Sequence, residues 1–147
     1  MTATRPEIFE RSYTVRGNDY ENAGEVATSV KNILRQVKLD PEFVRRVTIA
    51  LFEAEMNAVI HAYDAEIFFL LAPEKIEIVI KDRGPGIHDI ELAMQEGYTT
   101  ASEEAKRRGF GAGMGLANIK KNADTLKIES EVDVGTTVFI GFELANI

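Results

Sequence analysis

The spacing of hydrophobic residues divides this chain into stretches with strand-like and helix-like periods. Apolar residues two apart predict a strand, and apolar residues three or four apart predict a helix. Strands are predicted over residues 8–16, 66–71, 75–81, 126–130 and 138–142. Helices are predicted over residues 26–37, 41–63 and 88–95, and from a glycine run at 109–115 to about residue 124. Several strands are joined by hairpins, which indicates an α+β two-layer sandwich with a mixed, mostly antiparallel sheet and helices on one face.

The helix predicted over residues 41–63 carries the most informative pattern. It begins at Asp40-Pro41, a capping carboxylate followed by proline at the first helical position. Its apolar face is predicted to consist of Ile49, Phe52, Met56, Val59 and Ile60. Glu53, Asn57 and His61 are four residues apart and form a ridge along the edge of that face. Two polar residues are predicted on the opposite, solvated side: Thr48 and Glu55.

The strand over residues 75–81 leads directly into a carboxylate. Its three isoleucines share one face, and Asp82 has the same parity, so we expect its side chain to point inward. An inward carboxylate needs hydrogen-bond donors, and Gly84 and Gly86 allow another group to approach the backbone. The segment is therefore either a tight turn capped by aspartate or a seat for a planar ligand with an amino donor, such as a purine.

Composition restricts the class of protein. The chain has 147 residues, which predicts one domain with a sizeable core. The formal charge of -7 argues against nucleic-acid binding as the main activity, and the absence of cysteine excludes disulfides and thiolate chemistry. No apolar run is long enough to span a membrane, and no signal peptide is evident, so we expect a cytoplasmic protein.

A run of alternating glycines precedes the last predicted helix. Free backbone N–H groups and the positive end of a helix dipole form a physical anion site, although the run is also compatible with a structural hinge. Its spacing matches neither the P-loop nor the dinucleotide-binding pattern. Lys106, Arg107 and Arg108 stand just before it and either meet a terminal phosphate or form a solvated charge cluster. Residues 97–108 are polar and are predicted to form a mobile surface loop.

The polar ridge offers chemistry that a phosphate site would use. Asn57 has a neutral carbonyl oxygen, a ligand type that Mg²⁺ accepts when phosphates and waters complete its octahedron. Glu53, one turn earlier, is placed to accept a proton from an attacking hydroxyl or water. His61 is more easily explained as a packing or hydrogen-bonding residue.

Together these motifs resemble the GHKL (Bergerat-fold) ATPase superfamily. The pattern is E-x-x-x-N-x-x-x-H on a helix, D-x-G-x-G after a strand, G-x-G-x-G-L opening a helix, and G-T-T in a late strand. The matching residues are Glu53, Asn57 and His61; Asp82, Gly84 and Gly86; Gly111, Gly113, Gly115 and Leu116; and Gly135, Thr136 and Thr137. Within the superfamily, residues 50–63, 82–100 and 129–140 look like the small anti-sigma-factor and stressosome-type serine/threonine kinases.

The resemblance implies a role for each of these residues. Asp82 holds the adenine amino group with Gly86 and Thr137 nearby, Asn57 coordinates Mg²⁺, and Glu53 acts as the catalytic base or its electrostatic equivalent. Residues 97–110 form a lid over ATP. The implied nucleotide-binding residues are Asn57, Asp82, Gly84, Gly86, Arg107, Arg108, Gly111, Gly113, Met114, Gly115, Leu116 and Thr137.

The resemblance also implies partners. The expected substrate is a serine or threonine of a STAS-domain (anti-anti-sigma) protein, a sigma factor is a second candidate partner, and related kinases suggest a homodimer. Two other functions stay open at this point: a non-catalytic module in which ATP controls partner binding, and plain ATP hydrolysis. The presence of Glu53 favours the kinase, because a pure nucleotide sensor needs no base.

Overall fold

A computed structural model of the protein describes residues 8–95 and 115–144. The strands are β1 (Phe9–Arg16), β2 (Asp64–Leu71), β3 (Lys75–Arg83), β4 (Thr125–Glu131) and β5 (Gly135–Glu143). The helices are α1 (Glu25–Gln36), α2 (Pro41–His61), α3 (Ile90–Ala93) and α4 (Gly115–Asn122). The predicted elements in this part of the chain are confirmed; the main difference in length is α3, which is shorter than residues 88–95.

The five strands form one sheet in the order β1-β2-β3-β5-β4. Every neighbouring pair in this sheet is antiparallel, so the antiparallel alternative of the fold prediction is confirmed. In β3 the isoleucines at positions 76, 78 and 80 are buried, and Ile78 pairs with Ile140 of β5. These residues form one core with the apolar residues of α1 and α2. On the other face of the sheet Phe68 is exposed, which shows that the long helices cover one face only.

Helix α2 begins where the sequence predicts. Asp40 accepts hydrogen bonds from the backbone N–H groups of Glu42 at 3.1 Å and Phe43 at 3.2 Å. This cap satisfies two of the N–H groups that the first turn of a helix leaves unpaired. Within residues 8–95 and 115–144, no helix combines the length and apolar character needed to cross a membrane.

The prediction that Glu55 faces solvent is wrong. Its side chain is only 1% exposed and accepts three backbone hydrogen bonds from the start of α1: Gly24 at 2.9 Å, Val26 at 3.2 Å and Ala27 at 3.0 Å. The N-cap of α1 is Gly24, which has no side chain to satisfy these donors. Because α1 packs on the side of α2 that the helical wheel assigns to water, Glu55 caps α1 from the neighbouring helix.

The predicted apolar face of α2 is also partly wrong. Met56 and Val59 are buried, whereas Phe52 is 37% exposed. The buried residues of α2 extend around more of the helix than one stripe because three neighbours, α1, α4 and the sheet, cover it: Phe43, Val44, Val47, Ala50, Leu51, Ala54, Glu55, Met56, Ala58 and Val59. A helical wheel shows which residues of a helix are hydrophobic. It does not show how many other elements will pack against that helix.

Candidate functional site

Asp82 lies on the inward face near the end of β3, as predicted. Its Oδ1 accepts a hydrogen bond of 2.9 Å from the backbone N–H of Thr136 in β5. Burial raises the pKa of Asp82 above its usual value, the N–H of Thr136 acts in the opposite direction, and the charge of Asp64 adds to the increase. The carboxylate is thus partly desolvated and would be stabilised by a further hydrogen-bond donor.

The threonine that contacts Asp82 is Thr136, the neighbour of the predicted Thr137. Thr136 shares the inward parity of Val138 and Ile140, whereas Thr137 pairs with Lys81 and lies on the other face. Thr136 is 8% exposed. The alternation of Val138 and Ile140 along β5 is the sequence signal that places Thr136 on the inward face.

The loop after β3 is held against β4 and the turn that follows it. The backbone N–H of Ile87 donates to Ser130 Oγ at 2.8 Å, and Ser130 Oγ lies 2.8 Å from Thr136 Oγ1. Gly84 donates its N–H to the carbonyl of Val134 at 3.1 Å. Gly86 has a φ of 75°, and a Cβ there would overlap the carbonyl oxygen of Glu131, so this position requires glycine. Ser130 is a further site residue that the motifs did not indicate.

The end of α2 lies next to the end of β3. Ala62 caps α2, and the following residue, Tyr63, donates its N–H to the carbonyl of Arg83 at 2.7 Å. His61, the last residue of α2, is half-buried, and burial lowers its pKa below the usual value. Asn57 is one turn earlier, about 6 Å along the helix axis, so the end of β3 that carries Asp82 lies next to the His61 end of the polar ridge.

Asn57 lies against the beginning of α4. A Cβ built on Gly115 would be 2.8 Å from Asn57 Oδ1 and 3.2 Å from Asn57 Nδ2. The missing side chain of Gly115 therefore gives the Asn57 amide access to the helix N-terminus, where backbone N–H groups and the helix dipole favour an anion. The structure thus brings together two of the residues that the motifs selected.

Glu53 is tied to α4 one turn further along. Asn118 Nδ2 donates a hydrogen bond of 3.1 Å to Glu53 Oε2. Glu53, Asn57 and His61 are all half-buried, which confirms that they lie on the margin of the buried face. Asn118 is a site residue that sequence reasoning missed, because nothing in the local pattern of α4 indicates a partner 65 residues away.

A third contact fixes the C-terminal end of α4. Arg46 Nε donates to the carbonyl oxygen of Asn122 at 3.0 Å, and Arg46 Nη2 donates to Asp124 Oδ1 at 2.9 Å. The backbone N–H of Glu143 and the Arg46 guanidinium hold the pKa of Asp124 below its usual value. As residue numbers rise along α2, those of the α4 partners fall, so the two helices run antiparallel.

An open cavity of about 400 Å³ lies beside this helix pair. It is lined by Ile90, Met94, Lys120, Ala123, Asp124, Leu126 and Ile128. None of the described lining residues is a predicted site residue, and the lining includes the charged side chains of Lys120 and Asp124.

Several predicted residues fall outside the part that the structure describes. These are Arg107, Arg108, Gly111, Gly113 and Met114, together with the predicted lid. Leu116 is described, and it is half-buried and packs on the hydrophobic core.

The described residues suit a magnesium nucleotide. Asp82 offers a desolvated carboxylate to an amino donor, and Asn57 offers an amide oxygen beside a helix N-terminus. A Cβ at position 115 would fill the space in front of that amide. The adenine amino group requires a hydrogen-bond acceptor, Mg²⁺ requires an oxygen ligand, and phosphate requires N–H donors. The described residues offer all three.

Comparison with known proteins gives a consistent result. The sequence model of the family described as "Histidine kinase-like ATPase domain" matches residues 17–142. The anti-sigma F factors of Caldanaerobacter subterraneus subsp. tengcongensis and Thermoanaerobacter pseudethanolicus are each 37% identical over 108 residues, covering 69% of this chain and 72% of the relative. The anti-sigma F factor of Shouchella clausii is 29% identical over 132 residues, covering 86% of this chain and 87% of the relative. The family match includes every predicted site residue and confirms the resemblance found in the motifs.

Proposed function

This chain belongs to the family of histidine kinase-like ATPase domains, and we propose that it is an ATP-dependent serine/threonine protein kinase of the partner-switching type. It transfers the γ-phosphoryl group of ATP to a STAS-domain antagonist protein and binds a sigma factor. The observation that carries the proposal is the row of contacts between α2 and α4, in which Asn57 faces Gly115 and Glu53 is bonded to Asn118. A module that only senses nucleotide has no use for an oriented base in that row.

In this proposal Asp82 and Asn57 hold the nucleotide. Asp82 accepts a hydrogen bond from the adenine amino group, and Thr136 keeps the carboxylate in place through Oδ1. Asn57 Oδ1 is the ligand from this chain for Mg²⁺, which when bound neutralises charge on the phosphates. The N-terminus of α4 at Gly115 faces the same phosphates. Gly111, Gly113, Arg107 and Arg108 extend the phosphate site by the family resemblance.

Glu53 performs the proton transfer. It accepts the proton of the acceptor hydroxyl while the serine or threonine oxygen forms a bond to the γ-phosphorus. The bond from that phosphorus to the β–γ bridging oxygen breaks, its electron pair stays on the bridging oxygen, and ADP leaves. Positioning and electrostatics dominate this type of reaction, so the orientation of Glu53 relative to Asn57 matters more than its basicity alone.

The names of the relatives support one of the proposed partners. Proteins named anti-sigma F factor cover most of this chain, which supports a sigma factor as one partner and the cytoplasm as the location. Phosphorylation of the STAS-domain partner adds about two negative charges and removes the complementarity that its binding requires, so the kinase is released to the sigma factor. We also propose a homodimer, for which light scattering would give twice the 16.3 kDa of one chain.

The decisive experiment is a transfer assay with a candidate STAS-domain protein and γ-labelled ATP. Label should appear on the partner with the wild-type chain and be lost by roughly 10²-fold or more in Glu53→Gln. Glu42→Gln is the matched control, because Glu42 is on the same helix but forms only an exposed pair with Arg45.

Each outcome assigns a function. Transfer that depends on Glu53 and not on Glu42 supports the kinase. Tight ATP binding without transfer to any STAS-domain protein indicates a nucleotide-controlled switch instead. Phosphate release that the partner does not accelerate, with no labelled protein, indicates plain ATP hydrolysis.

A further inference from the structure

The hydrogen bond between Asn118 and Glu53 is a contact that the motifs do not explain. A carboxylate can only accept hydrogen bonds, so the amide of Asn118 must present its Nδ2–H group, which lies 3.1 Å from Glu53 Oε2. The bond joins the middle of α2 to the middle of α4 and is part-buried. One oxygen of the candidate base is therefore committed to a neighbour.

We propose that Asn118 is a positioning residue that orients the Glu53 carboxylate for phosphoryl transfer; this inference rests on the proposed function. A glutamate side chain has three rotatable bonds, and burial at the edge of α2 alone does not select one rotamer. The bond to Oε2 selects the rotamer and leaves Oε1 to receive the hydroxyl proton. Asn118 touches neither substrate nor nucleotide in this scheme and acts only through Glu53.

The chemistry of the donor supports this role. A lysine or arginine at position 118 would also hold the carboxylate, but a cation at hydrogen-bond distance strongly favours the ionised form and weakens it as a base. A neutral amide donor fixes the direction of the carboxylate with a smaller loss of basicity. Asparagine therefore suits a group that must be both oriented and able to accept a proton.

The position of Asn118 also couples the base to the phosphate site. Asn118 is three residues after Gly115, whose position is opposite Asn57, and Arg46 holds the far end of the same helix through the carbonyl of Asn122. A shift of α4 would displace the helix N-terminus and the donor to Glu53 together. The geometry of the base is thus set by the helix whose N-terminus faces the phosphates.

Asn118→Ala is the test variant, and Asn122→Ala is its matched control. Asn122 is the same residue type one turn later, and its side chain donates to the Asn118 carbonyl at 2.9 Å rather than to Glu53. We expect Asn118→Ala to lower the single-turnover rate of transfer to the STAS-domain protein on the order of tenfold, while the dissociation constant for ATP changes by less than about twofold.

A second measurement needs no activity. In ¹⁵N-labelled protein, Glu53→Ala should move the side-chain amide resonances of Asn118 more than those of Asn122. Equal movement of the two amides, or an Asn118→Ala variant with the transfer rate of the wild type, overturns the inference while leaving the kinase intact. A loss confined to ATP affinity overturns it as well. If the wild-type chain transfers no phosphate to any STAS-domain protein, the proposed function itself has failed, and the role of Asn118 in that reaction fails with it.

Discussion

Thr136 donates its backbone N–H to Oδ1 of Asp82, across 54 residues of sequence and 2.9 Å of space. Among the described residues it is the one hydrogen-bond donor to this carboxylate. Oδ2 is therefore available to another donor. The hydrogen bond from the Thr136 N–H of β5 to Oδ1 fixes the orientation of the carboxylate. The bond at Oδ1 belongs to the fold, whereas Oδ2 is free to bind the nucleotide. The two contributions of Asp82 can therefore be tested separately.

Asp82→Asn should weaken ATP binding by roughly 10- to 100-fold, because a charged acceptor contributes about 1.5–3 kcal/mol to a hydrogen bond. The melting temperature should not fall, since burial disfavours the charged form and asparagine retains an acceptor for Thr136. Titration with a fluorescent ATP analogue measures the affinity. Asp133→Asn is the control, because Asp133 lies in an exposed turn at a φ of 66°, which asparagine tolerates. Equal affinities for the two variants would remove Asp82 from the site.

Gly115→Ala should weaken binding of the magnesium nucleotide on the order of tenfold. The added Cβ would be 2.8 Å from Asn57 Oδ1, so either the amide or the start of α4 must move away from the geometry that holds the metal. Isothermal titration with MgATP measures this, with Ala117→Ser on the same helix as the control. A variant that binds as tightly as the wild type would show that Asn57 and Gly115 do not act together.

Glu55→Ala should lower the free energy of unfolding by about 3 kcal/mol, because it leaves three backbone N–H groups at the start of α1 without their acceptor. Glu55→Gln keeps an acceptor oxygen and should lose less. Urea unfolding followed by circular dichroism gives both values. If the alanine variant were as stable as the wild type, Glu55 would not be the cap of α1.

Arg46→Lys should lower the free energy of unfolding by about 1 kcal/mol. Lysine keeps the charge but has all its donors on one nitrogen in place of the planar fork that reaches Asn122 and Asp124. It also loses the stacking of the guanidinium near the rings of Phe43 and Phe142. Arg45→Lys is the neighbouring control, because the Arg45–Glu42 pair is exposed and should contribute little. Equal effects of the two substitutions in urea unfolding would contradict the anchoring role of Arg46.

His61 should make the stability of the protein depend on pH near neutrality. Burial lowers its pKa below 6.5 in the folded state, so between the folded and unfolded values the unfolded chain binds more protons. The free energy of unfolding must therefore fall as the pH is lowered through this window. Urea unfolding at a series of pH values should show a smaller loss for His61→Gln than for the wild type. The difference in free energy of unfolding between the two proteins cancels the contributions of other titrating groups. If the two proteins lost the same free energy as the pH fell, His61 would not be the source of the pH dependence.

Much of the fold was predictable because it depends on residues that are close in sequence. Strand parity placed Asp82 on the inward face, and the capping pair Asp40-Pro41 located the start of α2. The spacing of Glu53 and Asn57 placed them on one ridge, and their half-buried state confirms it. Where the prediction failed, at Glu55 and Phe52, the error came from treating α2 as a helix with one buried stripe.

The sequence by itself determined which residue types were present and on which side of each element they would lie. Only the tertiary structure decided their partners: Glu55 with the start of α1, Asp82 with Thr136, and Glu53 with Asn118. These pairs are separated by 31, 54 and 65 residues, respectively. Periodicity describes a helix or strand in isolation, whereas these hydrogen bonds depend on which elements pack together and in what register, and that arises from the burial of the whole core.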